Sequence, residues 1–382
     1  MNVPKLRFKE FNDTWKKIQL SSFVNINPQN DSLPEKFIYI DLESVNNGLL
    51  TSRKIINRAE APSRAKRTII KNDILYQTVR PYQMNNLFIN SLDSDYPYIA
   101  STGYALLRTK ENPYFVYSIL HQKSFVNKVL DMCTGTSYPA INATDLGKIS
   151  VGLPSIKEQE KISRTLELLD KKIELQTKKI EDLKLFKKGL NKFVFSNCTD
   201  EYKIENLIIE YSNKTTENNQ YEVLSSTANG ITFQNEYFNK QAASNNNTGY
   251  KIIPKGFITY RSMSDTGKFH FNIQDITDIG IVSPAYPVFN IKKNLVNKTY
   301  FVYYINENDG FKNEILSTKE GGTRYALSIT KFKTLNILLP KIEEQIKYSK
   351  YINIIINKIQ LEEKKLEKLI QLKKGLMQNM FV

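Results

Sequence analysis

The amino-acid sequence predicts an α+β protein in which two similar globular domains alternate with two long helices. The first observation is an internal repeat, since segments 153–195 and 339–381 align without a gap and share 19 identical residues in 43 positions. The second is that both segments space their apolar residues alternately by three and four, as coiled-coil helices do. The third is a weaker similarity between segments 1–152 and 196–338. The chain is therefore predicted to be an internal duplication with pseudo-twofold symmetry.

Composition points to a polyanion partner. The chain has 382 residues, with 54 Lys and Arg against 39 Asp and Glu, so its formal net charge is +15. Each phosphate that a cationic side chain neutralises releases counterions and strengthens binding. The net charge is +6 in 1–152, +4 in 153–195, +1 in 196–338 and +4 in 339–382. The alternative is a lysine-rich surface that only keeps the protein soluble.

The first domain, 1–152, and the second domain, 196–338, contain the same landmarks in the same order. Each is predicted to contain a turn between strands, two short strands, a short helix around Phe-Val-Tyr and a Gly-Thr-X-Tyr loop. The matching segments, first and second domain in turn, are 39–50 and 221–232, 69–78 and 252–261, 113–120 and 298–306, and 135–138 and 322–325.

Between these landmarks the two domains diverge, which predicts two different recognition surfaces. Residues 51–68 are rich in Arg and Lys, whereas residues 239–251 are rich in Asn, Gln and Ser, and both stretches are predicted to be loops. Arg suits guanine and phosphate, while Asn and Gln suit adenine, so the two domains could read different short DNA sequences. Variable surface loops without a binding role are the alternative.

Candidate DNA contacts follow from residue type and loop position. Tyr138 and Tyr325 are equally compatible with a buried role, because loop aromatics often anchor a turn. The predicted contacts are Arg64, Lys66, Arg67, Arg80, Tyr82, Asn85, Ser137 and Tyr138 in the first domain, and Asn245, Asn246, Asn247, Arg261, Ser262, Lys268, Arg324 and Tyr325 in the second.

The repeated segments, 153–195 and 339–382, are each predicted to form one helix of about 35 residues, or roughly 50 Å. Each opens with a proline and acidic residues and ends in Lys-Lys-Gly-Leu. The two helices are predicted to pack on each other as an antiparallel coiled coil, with core helices of a globular domain as the alternative. The predicted seam is Ile162, Leu166, Leu169, Ile173, Ile180, Leu183 and Leu190 in the first helix, and Ile352, Ile355, Ile359, Leu366, Leu369 and Leu376 in the second.

Further apolar residues lie outside this seam, and we call them the outer apolar residues. They are predicted either to bind another subunit or to pack on the neighbouring globular domains. They are Leu168, Leu175 and Leu185 in the first helix, and Ile354, Leu361 and Leu372 in the second.

No motif in the sequence predicts catalysis. Walker, GxGxxG, HExxH and GxSxG patterns are absent, and so is the Asn-Pro-Pro-aromatic run of adenine methyltransferases. Two cysteines and two histidines, which are Cys133, Cys198, His121 and His270, lack the spacing of metal ligands, so no catalytic or metal-binding residue is predicted. No apolar run reaches the ~20 residues of a membrane span, and the N-terminus lacks a signal-peptide pattern, which predicts a cytoplasmic protein.

LPSIKEQEKI at 153–162 and LPKIEEQIKY at 339–348, each followed by a heptad helix ending in KKGL, resemble the repeats of specificity subunits of type I restriction-modification systems. The resemblance covers the whole chain. It implies a non-catalytic subunit whose two target recognition domains each read half of a bipartite, asymmetric site in double-stranded DNA. It also implies that the paired helices set the spacer between the half-sites. A helix of roughly 50 Å, at ~3.4 Å per base pair, would bring the two domains roughly 10 base pairs apart.

The resemblance further implies partners and cofactors. Two methyltransferase subunits are expected to dock along the helices and to bind S-adenosylmethionine. Motor-nuclease subunits, with ATP and Mg²⁺, are expected in the full complex, and no cofactor on this chain. Two alternatives are a coiled-coil scaffold with two protein-binding domains and no DNA role, and an orphan or inhibitory subunit of the same fold.

Overall fold

The computed structural model describes residues 3–29, 32–135, 137–237, 246–292, 294–317 and 324–382. The chain forms two compact units, of which the first runs to Lys178 and resumes at Lys364, and the second comprises Lys179–Glu363. Each long helix therefore contributes one part to each unit.

Two four-stranded sheets build the first unit, in the orders β6-β3-β10-β7 and β2-β11-β8-β9. All pairs in these sheets are antiparallel except β3 with β10. Separate pairs join β1 to β12 and β4 to β5. The strands are β1 Lys16–Gln19, β2 Val24–Ile26, β3 Lys36–Ile40, β4 Val45–Asn46, β5 Leu49–Leu50, β6 Lys54–Asn57, β7 Ala65–Ile69, β8 Ile74–Gln77, β9 Leu87–Phe88, β10 Tyr98–Ser101, β11 Tyr104–Thr109 and β12 Ser150–Leu153.

Three short helices of this unit, α1 Pro113–Leu120, α2 Lys123–Asp131 and α3 Ala143–Lys148, precede the long helix α4, Ile156–Ser196. Asn112 caps α1, because its side chain accepts a hydrogen bond from the N–H of Phe115 at 2.9 Å. The core of the unit includes Trp15, Phe115 and Phe381, whose rings pack against one another. The last residues of the chain are thus part of the first unit's core.

The second unit has one four-stranded sheet, β14-β22-β18-β20, whose paired strands are antiparallel. Four further pairs are β13 with β24, β15 with β16, β17 with β21 and β19 with β23. The strands are β13 Asp200–Lys203, β14 Ile208–Glu210, β15 Leu224–Thr227, β16 Gly230–Phe233, β17 Lys251–Pro254, β18 Ile258–Tyr260, β19 Met263–Ser264, β20 Phe271–Ile273, β21 Ile279–Val282, β22 Val288–Ile291, β23 Tyr325–Ala326 and β24 Asn336–Leu339.

The helices of the second unit repeat the plan of the first. They are α5 Ile204–Leu207, α6 Gln234–Tyr237, α7 Lys298–Glu307, α8 Asp309–Ser317, α9 Ile329–Thr334 and the long α10 Ile342–Asn379. Asn297 caps α7 as Asn112 caps α1, accepting from the N–H of Tyr300 at 3.0 Å. The short helix predicted around each Phe-Val-Tyr segment is therefore present in both units.

The two long helices are longer than the sequence indicated, at 41 and 38 residues. In the first unit the start of α4 packs with the end of α10, where Ile162 and Leu166 share a core with Leu376. In the second unit Val194 shares a core with Ile352. Further along, Asp170 of α4 pairs with Lys373 of α10 in the first unit, and Lys179 pairs with Glu362 in the second. As the residue number rises in one helix it falls in the other, so the segments run antiparallel within each unit. Every predicted seam residue is buried or half-buried.

The glutamine of the repeated Leu-Pro-X-Ile-X-Glu-Gln motif bonds the start of each long helix to the N-cap of a short helix earlier in the chain, α1 or α7. Gln159 accepts from the N–H of Asn112 at 3.2 Å and donates to the carbonyl of the motif proline at 3.0 Å. Gln345 accepts from the N–H of Asn297 at 2.9 Å and donates to its own motif proline at 2.8 Å. Both glutamines are buried. The same contact in both units gives the repeated motif a structural role.

One loop prediction was wrong. Residues 51–68 were expected to be a loop, but they include strand β6, a short 3₁₀ turn at Arg58–Glu60 and the start of β7. Ile56, half-buried, packs on a small core with Phe37 and Ile99. Ala65 and Ile69 of β7 are buried, whereas Lys54, Arg64 and Lys66 are exposed and Arg67 is half-buried. The stretch therefore forms strands while most of its cations face solvent.

Candidate nucleic-acid interface

In the first unit the chain after strand β8 runs beside the Gly-Thr-X-Tyr loop. Val79 bridges to Ala140, and the N–H of Arg80 donates to the carbonyl of Pro139 at 2.8 Å. The N–H of Ile141 donates to the carbonyl of Thr78 at 3.1 Å. These hydrogen bonds bring together the predicted contacts of the two loops, which are Arg80, Tyr82, Asn85, Ser137 and Tyr138.

The second unit pairs the equivalent segments in the same register. The N–H of Leu327 donates to the carbonyl of Ser262 at 2.9 Å, and β19 pairs with β23 so that Ser264 lies opposite Tyr325. In the alignment of the two domains, Ser262 corresponds to Val79 and Leu327 to Ala140. The same loop pair therefore occurs in both units, and the side chains on it differ.

The loop of residues 80–84, which we call the turn loop, has an uncommon backbone. Arg80 and Met84 have φ angles of 53° and 51°, in the left-handed region that bulky residues rarely occupy, and they flank a 3₁₀ turn starting at Pro81. Buried Gln77 fastens this loop from beneath. Its side chain donates to the carbonyl of Val79 at 2.7 Å and accepts from the N–H of Asn85 at 3.1 Å.

The side chains on these two loops differ in their availability. The guanidinium of Arg80 lies 4.3 Å from the ring centroid of Tyr138, a cation–π contact. Tyr138 is 63% exposed and Tyr82 is 49% exposed, and Ser137 is exposed as well. The side-chain oxygen of half-buried Asn85 already accepts from the N–H of Asn47 at 3.1 Å. Asn85 therefore supports the loop and Arg80 is half-buried, whereas Tyr82, Ser137 and Tyr138 face solvent.

A hydrogen-bonded turn connects Arg64 to the same end of the first unit. The carbonyl of Arg64 accepts from Thr102, and the carbonyl of Gly103 accepts from the N–H of Thr78. Exposed Arg64 is thus placed near the chain that leads into the turn loop.

Lys66 and Arg67 follow Arg64 on strand β7. Lys66 is exposed and Arg67 is half-buried. Burial lowers the pKa of Arg67, and its Nε has no hydrogen-bond partner among the described residues. Lys66 is the better placed of the two for a phosphate.

The second unit has a polar cleft of about 280 Å³ at the corresponding place. Predicted contacts Arg261 and Lys268 line it, together with Asp265, Ser226 and His270. Partial burial and nearby Lys268 lower the pKa of His270. The cleft can donate hydrogen bonds from cations and accept them at a carboxylate.

Next to this cleft, Arg324 pairs with Asp265, its Nε lying 2.9 Å from the carboxylate. Both side chains are largely exposed. Tyr325 is half-buried, unlike its counterpart Tyr138, and Gly267 approaches its ring so closely that a Cβ there would lie 3.4 Å from it.

The asparagine run predicted for the second domain needs correction. Asn247 is 3% exposed, and its side chain accepts from the N–H of Asn219 at 2.6 Å and donates to the Asn219 side chain at 2.8 Å. It therefore holds two chain segments together and is not available to a base. Asn246 is exposed, and Asn245 lies outside the described residues.

Three residues of these surfaces were missed by sequence reasoning. Gln77 supports the turn loop, Met84 is 40% exposed at its end, and Asp265 orients Arg324. No pattern marked Gln77, because a glutamine at the end of a strand is ordinarily solvent-exposed.

The outer apolar residues are exposed in both units. Leu168 and Leu175 of α4 and the equivalent Ile354 and Leu361 of α10 are each more than half exposed, and so are Leu185 and Leu372. Of the two expectations for them, packing on the globular domains is therefore wrong. The first four occupy matching positions in the two repeats, which indicates one kind of surface present twice.

Other chemistry is sparse in the described part of the chain. No group of three or more His, Cys, Asp or Glu there could hold a metal ion. Among the same residues, no helix is long and apolar enough to cross a membrane. Cys133 and Cys198 are half-buried free thiols whose pKa values burial raises.

Comparison with known proteins finds one protein family that matches both halves of the chain. A family model described as the type I restriction modification DNA specificity domain matches residues 12–185 and again 200–371. The specificity subunit of the type I restriction enzyme HindI of Haemophilus influenzae Rd is 29% identical over 165 residues, which are 41% of this chain. That match spans 35% of the relative's own length.

Two solved structures share the fold along nearly the whole chain. The S subunit of a type I restriction-modification system from M. genitalium aligns with 100% of this chain and 99% of its own, at 15% identity and a TM-score of 0.61. A chain from a structure on complex assembly and conformational transition of the type I R-M system aligns over 95% and 96%, at 19% identity and a TM-score of 0.52.

Proposed function

Because the chain belongs to the type I restriction-modification DNA specificity family, we propose that it is the DNA-recognition subunit of such a system. Each domain reads one half of a bipartite, asymmetric site in double-stranded DNA. The observation that carries this proposal is the loop pair that recurs in both units with different side chains. An aromatic and cationic surface stands in the first unit and a polar cleft in the second.

Within each unit we assign backbone and base contacts by residue type. Exposed Arg64 and Lys66 are placed to bind phosphates near the first half-site. Arg261, Lys268 and Arg324 can donate to the acceptors of guanine in the major groove, and Asp265 can accept from an exocyclic amine. The unlike side chains explain why two similar frameworks would select unlike half-sites.

Exchange of one domain tests this modular reading. The chain is expressed with its methyltransferase partner in a host lacking other DNA methylation, and modified bases are mapped across the genome. Replacing residues 196–338 by those of a family member with another specificity should change one half-site only. The reciprocal exchange of residues 1–152 should change the other half, and a change of both halves by either exchange would contradict the proposal.

The comparisons give no support to a coiled-coil scaffold without a DNA role. Binding to duplex DNA that weakens steeply as salt rises, with a slope reflecting several phosphates, would separate the two functions directly. An orphan or inhibitory subunit would lack an active methyltransferase partner. The methylation map tests this alternative too, because such a subunit would direct no DNA modification.

The partner we propose is a methyltransferase, bound to the outer apolar residues of the long helices. Leu168 and Leu175 are more than half exposed, and their equivalents Ile354 and Leu361 offer the same surface again. Isolated exposed apolar residues are ordinary, but the same exposed positions in two diverged repeats support a binding role. Two equivalent surfaces suit two methyltransferase subunits.

Glutamate substitutions test the docking surfaces. Leu168→Glu with Ile354→Glu should leave the fold intact and reduce methyltransferase co-purification strongly. Lys172→Glu with Lys358→Glu places the same residue at equivalent exposed positions and serves as the control. Undiminished co-purification of the leucine and isoleucine variant would argue against docking at these residues.

In the complete system we propose that chemistry belongs to the partners. The methyltransferase subunits bind S-adenosylmethionine, and motor-nuclease subunits use ATP and Mg²⁺, in the cytoplasm, where the DNA is. The purified chain alone should transfer no methyl group from S-adenosylmethionine to DNA, whereas the chain with its partner should. Methyl transfer by the chain alone would overturn this division of labour.

A further inference from the structure

The turn loop of the first unit exposes large apolar side chains in a rigid setting. Tyr82 is 49% exposed and Met84 is 40% exposed, and Tyr138 from the adjacent loop is 63% exposed. Aromatic and thioether side chains that face solvent contribute little to the stability of the free protein. All three lie on the paired loops, and we call these three exposed side chains the apolar projection.

Several contacts hold this projection in place. The left-handed φ angles at Arg80 and Met84 cost free energy, which the surroundings must offset. Gln77 fixes both ends of the loop, since its side chain donates to Val79 and Gln83 and accepts from Asn85. A projection built in this way keeps its shape when it meets a ligand.

The same place in the second unit has different chemistry. Met263, at the position equivalent to Arg80, is followed by Ser264, Asp265 and Thr266, and this stretch borders the polar cleft. Tyr325, equivalent to Tyr138, is half-buried. Among the described residues of the two loop pairs, exposed tyrosines therefore occur only in the first unit.

We propose that Tyr82 and Met84 act as a wedge that unstacks a base step in the half-site read by the first unit. This inference rests on the proposed DNA-recognition function. Apolar wedges of this kind partly unstack neighbouring base pairs and kink the duplex, and aromatic rings stack on the bases they expose. Arg80, held on the face of Tyr138, places its positive charge beside the wedge, where a phosphate of the distorted step would lie.

The second unit, by contrast, reads its half-site through polar contacts and without this distortion. The two half-sites should then differ in deformability. The first half-site should favour a flexible pyrimidine–purine step at the wedge, since such steps are the easiest to unstack.

Permanganate oxidation of unstacked thymines tests the wedge. The full chain is bound with its methyltransferase partner to a duplex carrying the site found by methylation mapping. Thymine reactivity is then compared between Tyr82→Ala with Met84→Ala and the unchanged complex. The wedge predicts loss of reactive thymines in one half-site only, and binding about tenfold weaker. Tyr82→Phe should keep both properties, because the ring remains.

Leu295→Ala is the control, since Leu295 is 43% exposed in the second unit and lies outside both loop pairs and the polar cleft. It should leave the reactivity unchanged. Reactivity that persists when Tyr82 and Met84 are both alanine would overturn the wedge while leaving DNA recognition in place. A complex that selects no DNA sequence at all would instead overturn the proposed function.

Discussion

Gln159 and Gln345 show how one residue type secures the same junction twice. Gln159 also donates to the carboxylate of Glu111 at 2.8 Å, so its buried amide has three partners in the first unit. An apolar replacement of similar size fills the space and leaves these polar groups without a partner. A buried polar group left without a hydrogen bond lowers stability by more than the hydrogen bond had contributed, because the group stays desolvated.

Gln159→Leu should therefore lower the free energy of unfolding by about 2 to 4 kcal/mol. Denaturant unfolding followed by circular dichroism measures the change. Gln371→Leu is the control, because Gln371 is exposed on α10 and its side chain bonds to Glu367 of the same helix. It should change stability by less than about 0.5 kcal/mol. Equal effects of the two substitutions would refute the role assigned to the motif glutamine.

The neighbouring motif glutamate behaves differently in the two units. Glu158 is buried, and its carboxylate accepts hydrogen bonds from Nε and Nη2 of Arg7 at 2.7 and 2.8 Å. The equivalent Glu344 is exposed. The charged hydrogen bond to Glu158 raises the pKa of Arg7. The bidentate pair fastens the N-terminal segment to the start of α4.

Removing only one member of this pair should be worse than removing both. Arg7→Leu leaves an uncompensated buried carboxylate and should cost about 3 kcal/mol of stability. Arg7→Leu with Glu158→Leu removes that charge and should recover part of the loss. Thermal unfolding of the two variants is the measurement, with Glu344→Leu as the exposed control. A double variant less stable than Arg7→Leu alone would contradict this account.

At this scale the sequence was a partial guide. Residue type alone predicted that Asn247 would contact DNA. Its side-chain amide instead bonds to Asn219, which lies 28 residues away in the sequence. The pairing of Arg80 with Tyr138 likewise depends on two loops meeting. Such contacts between distant segments leave no local pattern in a single sequence.

Elements were more predictable than contacts. The alternation of three and four residues marked which face of each long helix is covered, and all predicted seam residues are buried or half-buried. The periodic spacing of apolar residues places them on one face of a regular helix, and that face packs against an apolar surface. The sequence therefore suffices to predict which residues are buried. Residues 51–68 failed as a loop prediction because charged side chains on an outward-facing strand look like loop composition.

Two adjacent leucines of α4 separate the seam from the outer surface. Leu169 is 6% exposed and Leu168 is 59% exposed. Leu169→Glu buries a charge and should lower the free energy of unfolding by at least about 3 kcal/mol. Leu168→Glu should leave stability within about 0.5 kcal/mol while weakening partner binding. Comparing the two by denaturant unfolding tests the assignment, which fails if Leu168→Glu is the more destabilising.

For the whole molecule, the distribution of charge agrees with a division of roles. The repeated helices carry +8 of the +15 net charge, while the second domain carries only +1. The helices thus carry slightly more than half of the net charge that can attract phosphates, and most of the rest lies in the first domain. Specificity would reside in loops whose net charge says little, such as the pair around the polar cleft.

If the chain is a DNA specificity subunit, the length of its long helices should determine the spacer between the two half-sites. Each long helix contributes to both compact units, with the change from one to the other near Lys178 in α4 and near Lys364 in α10. These two positions are equivalent in the repeat. A seven-residue insertion at both positions preserves the phase of the seam and lengthens each helix by about 10 Å.

We expect that double insertion to lengthen the spacer between the half-sites by about 3 base pairs, with both half-sites unchanged. Mapping modified bases in a host that expresses the variant with its methyltransferase measures the spacer. Insertion in α4 alone is the control, because seven residues of its seam then lack an equivalent on α10 and the protein should be destabilised. If the double variant methylates DNA with the original spacer, helix length does not determine it, and another part of the complex must set the separation.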